Sequence, residues 1–270
     1  MVEHRNWHDE ELIEPDPDQY PLSASGVKKF KGCPKAFELR YLEGLDGSKP
    51  SSGYAELGSA VHEAIERVLL ENSIGRLSET PNQLKELMVG EYREINPDVK
   101  DDLYQTGLSC IEVAARYTAS KGLESFRGIE EDFLFALGRE DVNHSFRGLM
   151  DVATPNEVWD WKTGKNVYPE DEIIQGMIYA MGYLDLFGEP PEKIRFVYIQ
   201  KEIERVIEPT DENWQQMLDV VRDIVKAKES GEFPAKPDPS SCYWCEYEGF
   251  CPSAEGGSPV GAGGIEWHQI

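Results

Sequence analysis

A change of hydrophobic period at Gly128 constrains the fold of this chain more than any other feature. Before it, apolar residues recur at helical spacing. Leu57, Val61, Ile65, Val68 and Leu69 predict a firm helix from about Tyr54 to Glu71, and two more follow over Pro81–Ile95 and Asp98–Lys121. After it, apolar residues alternate. Phe133, Phe135 and Leu137, then Phe146–Val152, then Val158–Trp161 predict three successive strands in a meander. A helix over Asp171–Phe187 ends at Gly188-Glu189-Pro190-Pro191. Strands over Ile194–Gln200 and Ile203–Ile207 follow, and Thr210 or Asp211 caps a last helix to about Ser230. The expected architecture is α/β: a mixed central sheet flanked by helices, with a helical insertion over about residues 72–125 and a core over about 126–230.

Polar residues inside these apolar strands carry the chemistry. Asp160 and Lys162 are two apart and share one face of a strand, so Trp159 and Trp161 take the other. Asp151 lies one hairpin earlier, in Gly148-Leu149-Met150-Asp151. An acid and a lysine at this spacing are, alone, as readily an edge-strand ion pair. With a second carboxylate next door and the Thr163-Gly164 turn behind, they suit a hard divalent cation beside a phosphate. His62 sits in Gly58-Ser59-Ala60-Val61-His62, where small residues let the helix approach the strands. A lone helical histidine is more often a satisfied core or surface residue; near two carboxylates it becomes a ligand of Mg²⁺ or Mn²⁺. Gln175 and Tyr179 are one helical turn apart and share a face that holds Lys162 or a phosphate; the bland reading is a core aromatic. These features point to phosphodiester hydrolysis.

Of the five cysteines, Cys110 reads as a small buried apolar residue among Leu108, Ile111 and Val113. Cys242-x2-Cys245-x5-Cys251 fits zinc or an iron–sulfur cluster, and Cys33 is the candidate fourth ligand. Spacing leaves the two open. A fourth ligand from Cys33 makes a lobe of that residue and residues 231–253.

A formal charge of -24 opposes non-specific nucleic-acid binding. Two readings reconcile it with a DNA substrate. Strong acidity is a common adaptation to a salt-loving cell, where charge is screened within about 3 Å at 1 M salt. The charge is also uneven, because Lys28, Lys29, Lys31, Lys35 and Arg40 cluster between Gly26 and Tyr41. Alone this is a solvated helix face; beside a phosphodiester-cleaving centre the four lysines become a DNA-contacting patch. Residues 1–20, with Pro15 and Pro17, read as a loosely held acidic arm and residues 254–270 as a flexible Gly-rich tail. No apolar run reaches membrane-spanning length and no secretion signal is evident, so a cytoplasmic protein without a membrane partner is expected.

Taken in order, Cys33, Gly58-to-His62, Gly148-to-Asp151, Asp160-Trp161-Lys162, Gln175-to-Tyr179 and the three-cysteine loop resemble the PD-(D/E)XK nuclease superfamily. The resemblance is to its RecB-like branch with an iron–sulfur cluster, as in CRISPR-associated exonucleases and the AddB-type nuclease domain. It runs from about Leu22 to Pro252 as a single restriction-endonuclease-like domain. It implies metal ligands at His62, Asp151, Asp160 and the Trp161 carbonyl, a water-orienting Lys162, and support from Gln175 and Tyr179. It also implies a structural 4Fe-4S cluster at Cys33, Cys242, Cys245 and Cys251, and products with a 5′-phosphate and a 3′-hydroxyl. The implied activity is exonucleolytic, on single-stranded or end-bearing DNA, in repair, recombination or CRISPR adaptation. No phosphate-binding Gly-x4-Gly-Lys-Ser/Thr loop is present, so either a partner, a helicase or a CRISPR adaptation protein, supplies unwinding or the substrate is already single-stranded. The alternative is a catalytically idle DNA-binding scaffold subunit with iron–sulfur or zinc.

Overall fold

The computed structural model describes residues 6–47, 53–73, 81–95, 101–121 and 126–253. It divides into two compact units, Met1–Ala24 with Ser51–Leu218, and Ser25–Pro50 with Asp219–Ile270.

The first unit is built on a six-stranded sheet in the order β1-β2-β3-β4-β5-β6. Its strands are β1 (Leu12–Ile13), β2 (Gly128–Gly138), β3 (Asn143–Ala153), β4 (Glu157–Lys162), β5 (Lys193–Tyr198) and β6 (Ile203–Ile207). The sheet is mixed: β4 and β5 run parallel and every other neighbouring pair is antiparallel. The reason lies in the connections. Short loops return the chain beside itself from β2 to β3, β3 to β4 and β5 to β6, whereas β4 and β5 are joined by a long helix that carries it back to start in the same direction.

That helix, here α6 (Pro169–Phe187), starts with Pro169 in its first turn, where the missing N–H costs nothing, beside Glu170, Asp171 and Glu172. It stops at Gly188, whose φ of 75° is left-handed and whose N–H returns to Leu184 O at 2.8 Å. Glu172 is buried, with Tyr198 Oη donating to it at 2.6 Å and the Arg205 guanidinium beside it.

Helices α3 (Gly53–Ser73), α4 (Pro81–Ile95) and α5 (Asp101–Ser120) pack in one apolar cluster with Ile129, Val152, Trp159, Trp161, Val197 and Ile199. Strand alternation therefore sends Trp159 and Trp161 toward the three helices and Asp160 and Lys162 to the other face. The α6 side is packed through Phe133, whose ring lies where a Cβ on Gly148 or Gly182 would stand, 2.4 and 2.5 Å away.

Residues 6–20 depart from the loose arm that their acidity and prolines suggest. Leu12 and Ile13 pair with Leu137 and Ala136, Trp7 is buried, and its N–H donates to Asp211 at 2.7 Å. An edge strand needs only backbone groups to pair, which composition does not report. The tail over 254–270 lies outside the described residues.

The second unit holds α1 (Ala24–Gly32) from Ser25 on, α2 (Pro34–Phe37), a π-helical turn over Glu38–Leu42, the end of α7 (Asp211–Ser230) and α8 (Pro239–Tyr243). Cys33 interrupts the first two helices in extended conformation (φ -156°), as a residue before proline must. Phe30, Phe37 and Phe233 pack ring against ring at 5.5 to 6.4 Å.

Candidate active site

The β3–β4 connection brings Asp151 and Asp160 onto adjacent strands, and the residue after Asp160 ties them together: Trp161 N–H donates to Asp151 Oδ2 at 2.6 Å. His62 on α3 reaches the same oxygen, with Nδ1 at 3.5 Å. Its approach depends on Gly58, one turn earlier, where an added Cβ would lie 2.9 Å from Thr163 Oγ1. The helix thus rides close over the end of β4 because it carries no side chain there.

A third group, not expected from sequence, joins them. His62, Glu130 and Asp151 each offer a ligand atom, all within 4.8 Å of one another, and they are the group of this kind found among the described residues. Glu130 lies on β2 between the pairs Ile129↔Val152 and Glu131↔Met150, and so opposite Asp151. Its φ of 51° is left-handed, a conformation that costs a non-glycine residue about 1–2 kcal/mol. Strain of this sort collects at functional sites. The signal was present in the hairpin. Gly138 pairs with Asn143 across a short loop, and counting back along both strands puts 130 against 151.

The charges answer one another. Burial holds the Asp151 carboxyl above its ordinary range, while His62 and the Trp161 N–H oppose that rise. Burial disfavours the His62 imidazolium most, yet Asp151, Asp160 and Glu130 together push its pKa up to about 9. Glu130 is pushed up to about 8 by burial, then by Asp151 and Glu66. Without a cation, the site keeps protons where the cation would otherwise supply positive charge.

Asp160 belongs to a second, connected network. Its Oδ1 accepts from Gln175 Nε2 at 2.7 Å and from Tyr179 Oη at 2.9 Å. Its Oδ2 lies 2.6 Å from Lys162 Nζ, an ion-pair distance without hydrogen-bond alignment. Lys162 Nζ donates to Gln175 Oε1 at 3.0 Å. One amide therefore spans acid and ammonium, and fixes both rotamers. Burial, then Asp160 and Asp151, raise the Tyr179 hydroxyl well above its usual range, so it stays a donor. Its ring is braced edge-on by Phe133 at 6.0 Å, in the slot that Gly148 and Gly182 leave open.

The expected ligand set is therefore brought together in part. His62 and Asp151 meet, Glu130 enters, and Asp160 turns toward Lys162, Gln175 and Tyr179 rather than into the compact trio. The Trp161 side chain packs in the helical cluster, as alternation requires.

In the second unit, Cys33, Cys242, Cys245 and Cys251 are all half-buried free thiols. Burial raises the Cys245 thiol, and Cys33 and Cys242 raise it further by their nearness. Cys33 and Cys245 pack on Ala36, Leu39 and Tyr247, and Lys236 N–H points at Cys33 Sγ at 3.5 Å. Among the described residues the four thiols do not form a compact ligand group like that of His62, Glu130 and Asp151; Cys33 and Cys242 lie near Cys245 without closing into one. Cys110 is fully buried in the α3–α5 cluster. Of the lysines expected to meet DNA, Lys29 is bound to Glu246 at 2.6 Å and Lys35 pairs with Glu38. Lys28 and Lys31 also have partners.

Residues 21–252 match the family model described as PD-(D/E)XK nuclease superfamily. A solved structure titled "Crystal structure of SSO0001" is similar at 17% identity and a TM-score of 0.35, over 72% of this chain and 96% of that one. No curated protein matches.

Proposed function

The chain belongs to the PD-(D/E)XK nuclease superfamily, and from that premise we propose that it is a metal-dependent deoxyribonuclease acting as an exonuclease on single-stranded or end-bearing DNA. The observation that carries this reading is the junction at Trp161. Its N–H ties the His62–Glu130–Asp151 group to the Asp160–Lys162–Gln175–Tyr179 network flanking it on β4 and α6. One imidazole nitrogen with carboxylate oxygens suits Mn²⁺ or Mg²⁺.

Bound there, the cation would acidify a water and neutralise charge developing on the scissile phosphate. The residues of the chain do the rest. His62 and Glu130 would give up protons and, with Asp151, supply ligand atoms, with Asp160 and the Trp161 carbonyl as further donors. Lys162, steered by Asp160 and Gln175, holds the attacking water and sets positive charge beside the phosphate. Tyr179 keeps its proton and anchors Asp160. The activity is tested with end-labelled single strands and Mn²⁺: the unmodified protein releases 5′-phosphorylated products and Lys162→Ala does not. Equal digestion by both overturns the assignment.

We further propose that Cys33, Cys242, Cys245 and Cys251 hold a 4Fe-4S cluster with a structural role in the second unit. The nearness of three of these thiols supports it. A brown protein with iron and sulfide after anaerobic purification supports the cluster; a colourless zinc protein overturns it.

A further inference from the structure

Cys242 and Cys245 enclose two aromatic residues, and the local backbone pushes both outward. Asp238 fastens α8: its carboxylate accepts from Ser241 N–H at 2.9 Å and its carbonyl from Cys242 N–H at 2.8 Å. Cys245 N–H then donates to Cys242 O at 3.0 Å, closing a turn whose central residues are Tyr243 and Trp244. The turn is seated on the unit's core, because Cys245 packs against the buried Tyr247. Tyr243 and Trp244 are the two most exposed large apolar side chains among the described residues, at 67% and 78%. Their rings meet edge to face at 4.9 Å and 89°, so one supports the other.

Exposing two rings on a braced turn forgoes the burial that large apolar side chains ordinarily gain on folding. We propose that Tyr243 and Trp244 form a stacking platform for unpaired bases of a DNA strand, a proposal that rests on the nuclease reading above. Two observations favour this occupant. The described residues of this unit carry nine Lys and Arg against ten Asp and Glu, in a chain with 27 against 51, so a phosphate backbone meets less repulsion here than elsewhere. Among those residues, Leu42 is the sole other exposed large hydrophobic. A protein-docking core needs a wider apolar patch, whereas a base needs one ring face.

The test uses the full chain carrying Lys162→Ala, without added Mg²⁺ or Mn²⁺, so that binding is read apart from cleavage. Its affinity for a short fluorescent oligothymidylate is compared with that for an abasic oligomer of equal charge. Stacking of a single base predicts about 5- to 150-fold tighter binding of the base-bearing oligomer. Adding Trp244→Ala should shrink that gap, and Trp244→Phe should largely keep it. Equal binding of both oligomers overturns the platform whatever the variants do, and so does a gap that Trp244→Ala leaves unchanged. Self-association that disappears with Trp244→Ala, without any base preference, assigns the rings to a protein contact and also overturns it. Each result leaves the nuclease assignment standing, since that is decided by digestion with Lys162 intact.

Discussion

Protons held by the trio should leave when metal binds, and Glu130 decides how many. At pH 7, His62 with a pKa of about 9 and Glu130 with one of about 8 are both mainly protonated. A ligand must shed its proton to bind. For His62 two pH units correspond to about 100-fold in apparent affinity, or about 2.7 kcal/mol. The two groups share Asp151, so they titrate as a set, and between one and two protons should be released per cation. Titration calorimetry with Mn²⁺ at pH 7, in two buffers of different ionisation heat, counts them directly. Glu130→Gln should lower the count by close to one. It should also weaken binding by at least the tenfold or so seen when outer partners of a ligand are lost. Affinity of the unmodified protein should climb steeply from pH 7 to 9 and then flatten. No proton release, with equal affinity at pH 7 and 9, would refute the placement of both residues at the cation; an unchanged count in Glu130→Gln would remove Glu130 alone.

Without metal, the same groups set a pH dependence of stability. The His62 contribution is complete below about 6.5 and fades as pH rises to about 9, and that of Glu130 fades between about 4.5 and 8, so the thermal midpoint should fall from neutral pH to 9; a rise would contradict this. Gly182→Ala places a methyl 2.5 Å from the Phe133 ring and should cost about 1–3 kcal/mol in denaturant unfolding, with loss of activity through Tyr179. An unperturbed midpoint would show that Phe133 has room to move. The charge of -24 predicts a midpoint that rises with KCl toward molar concentrations, and a flat salt series would end the halophile reading.

Asp160, Lys162, Trp159 and Trp161 show how much of this site was legible in the sequence. Strand period alone placed the charged pair on one face and the indoles on the other, and helical period alone aligned Gln175 with Tyr179. The Gly188 stop, the succession of β2 to β6 along the chain and the long helix before β5 were equally local in origin. Glu130 was not legible as a single letter. It stands in an acidic run, Glu130-Glu131-Asp132, and only the register with β3 and a left-handed φ select which acid faces Asp151.

What the sequence determined by itself were the elements, their order and the residues able to share a face, because each follows from backbone geometry over a few residues. The tertiary structure decided the meetings between distant segments. It set Leu12–Ile13 on the edge of β2, matched Lys29 with Glu246, and turned Asp160 toward Gln175 while Glu130 entered the trio. Such pairings depend on charge balance and register across a whole sheet. No stretch of neighbouring residues carries that information.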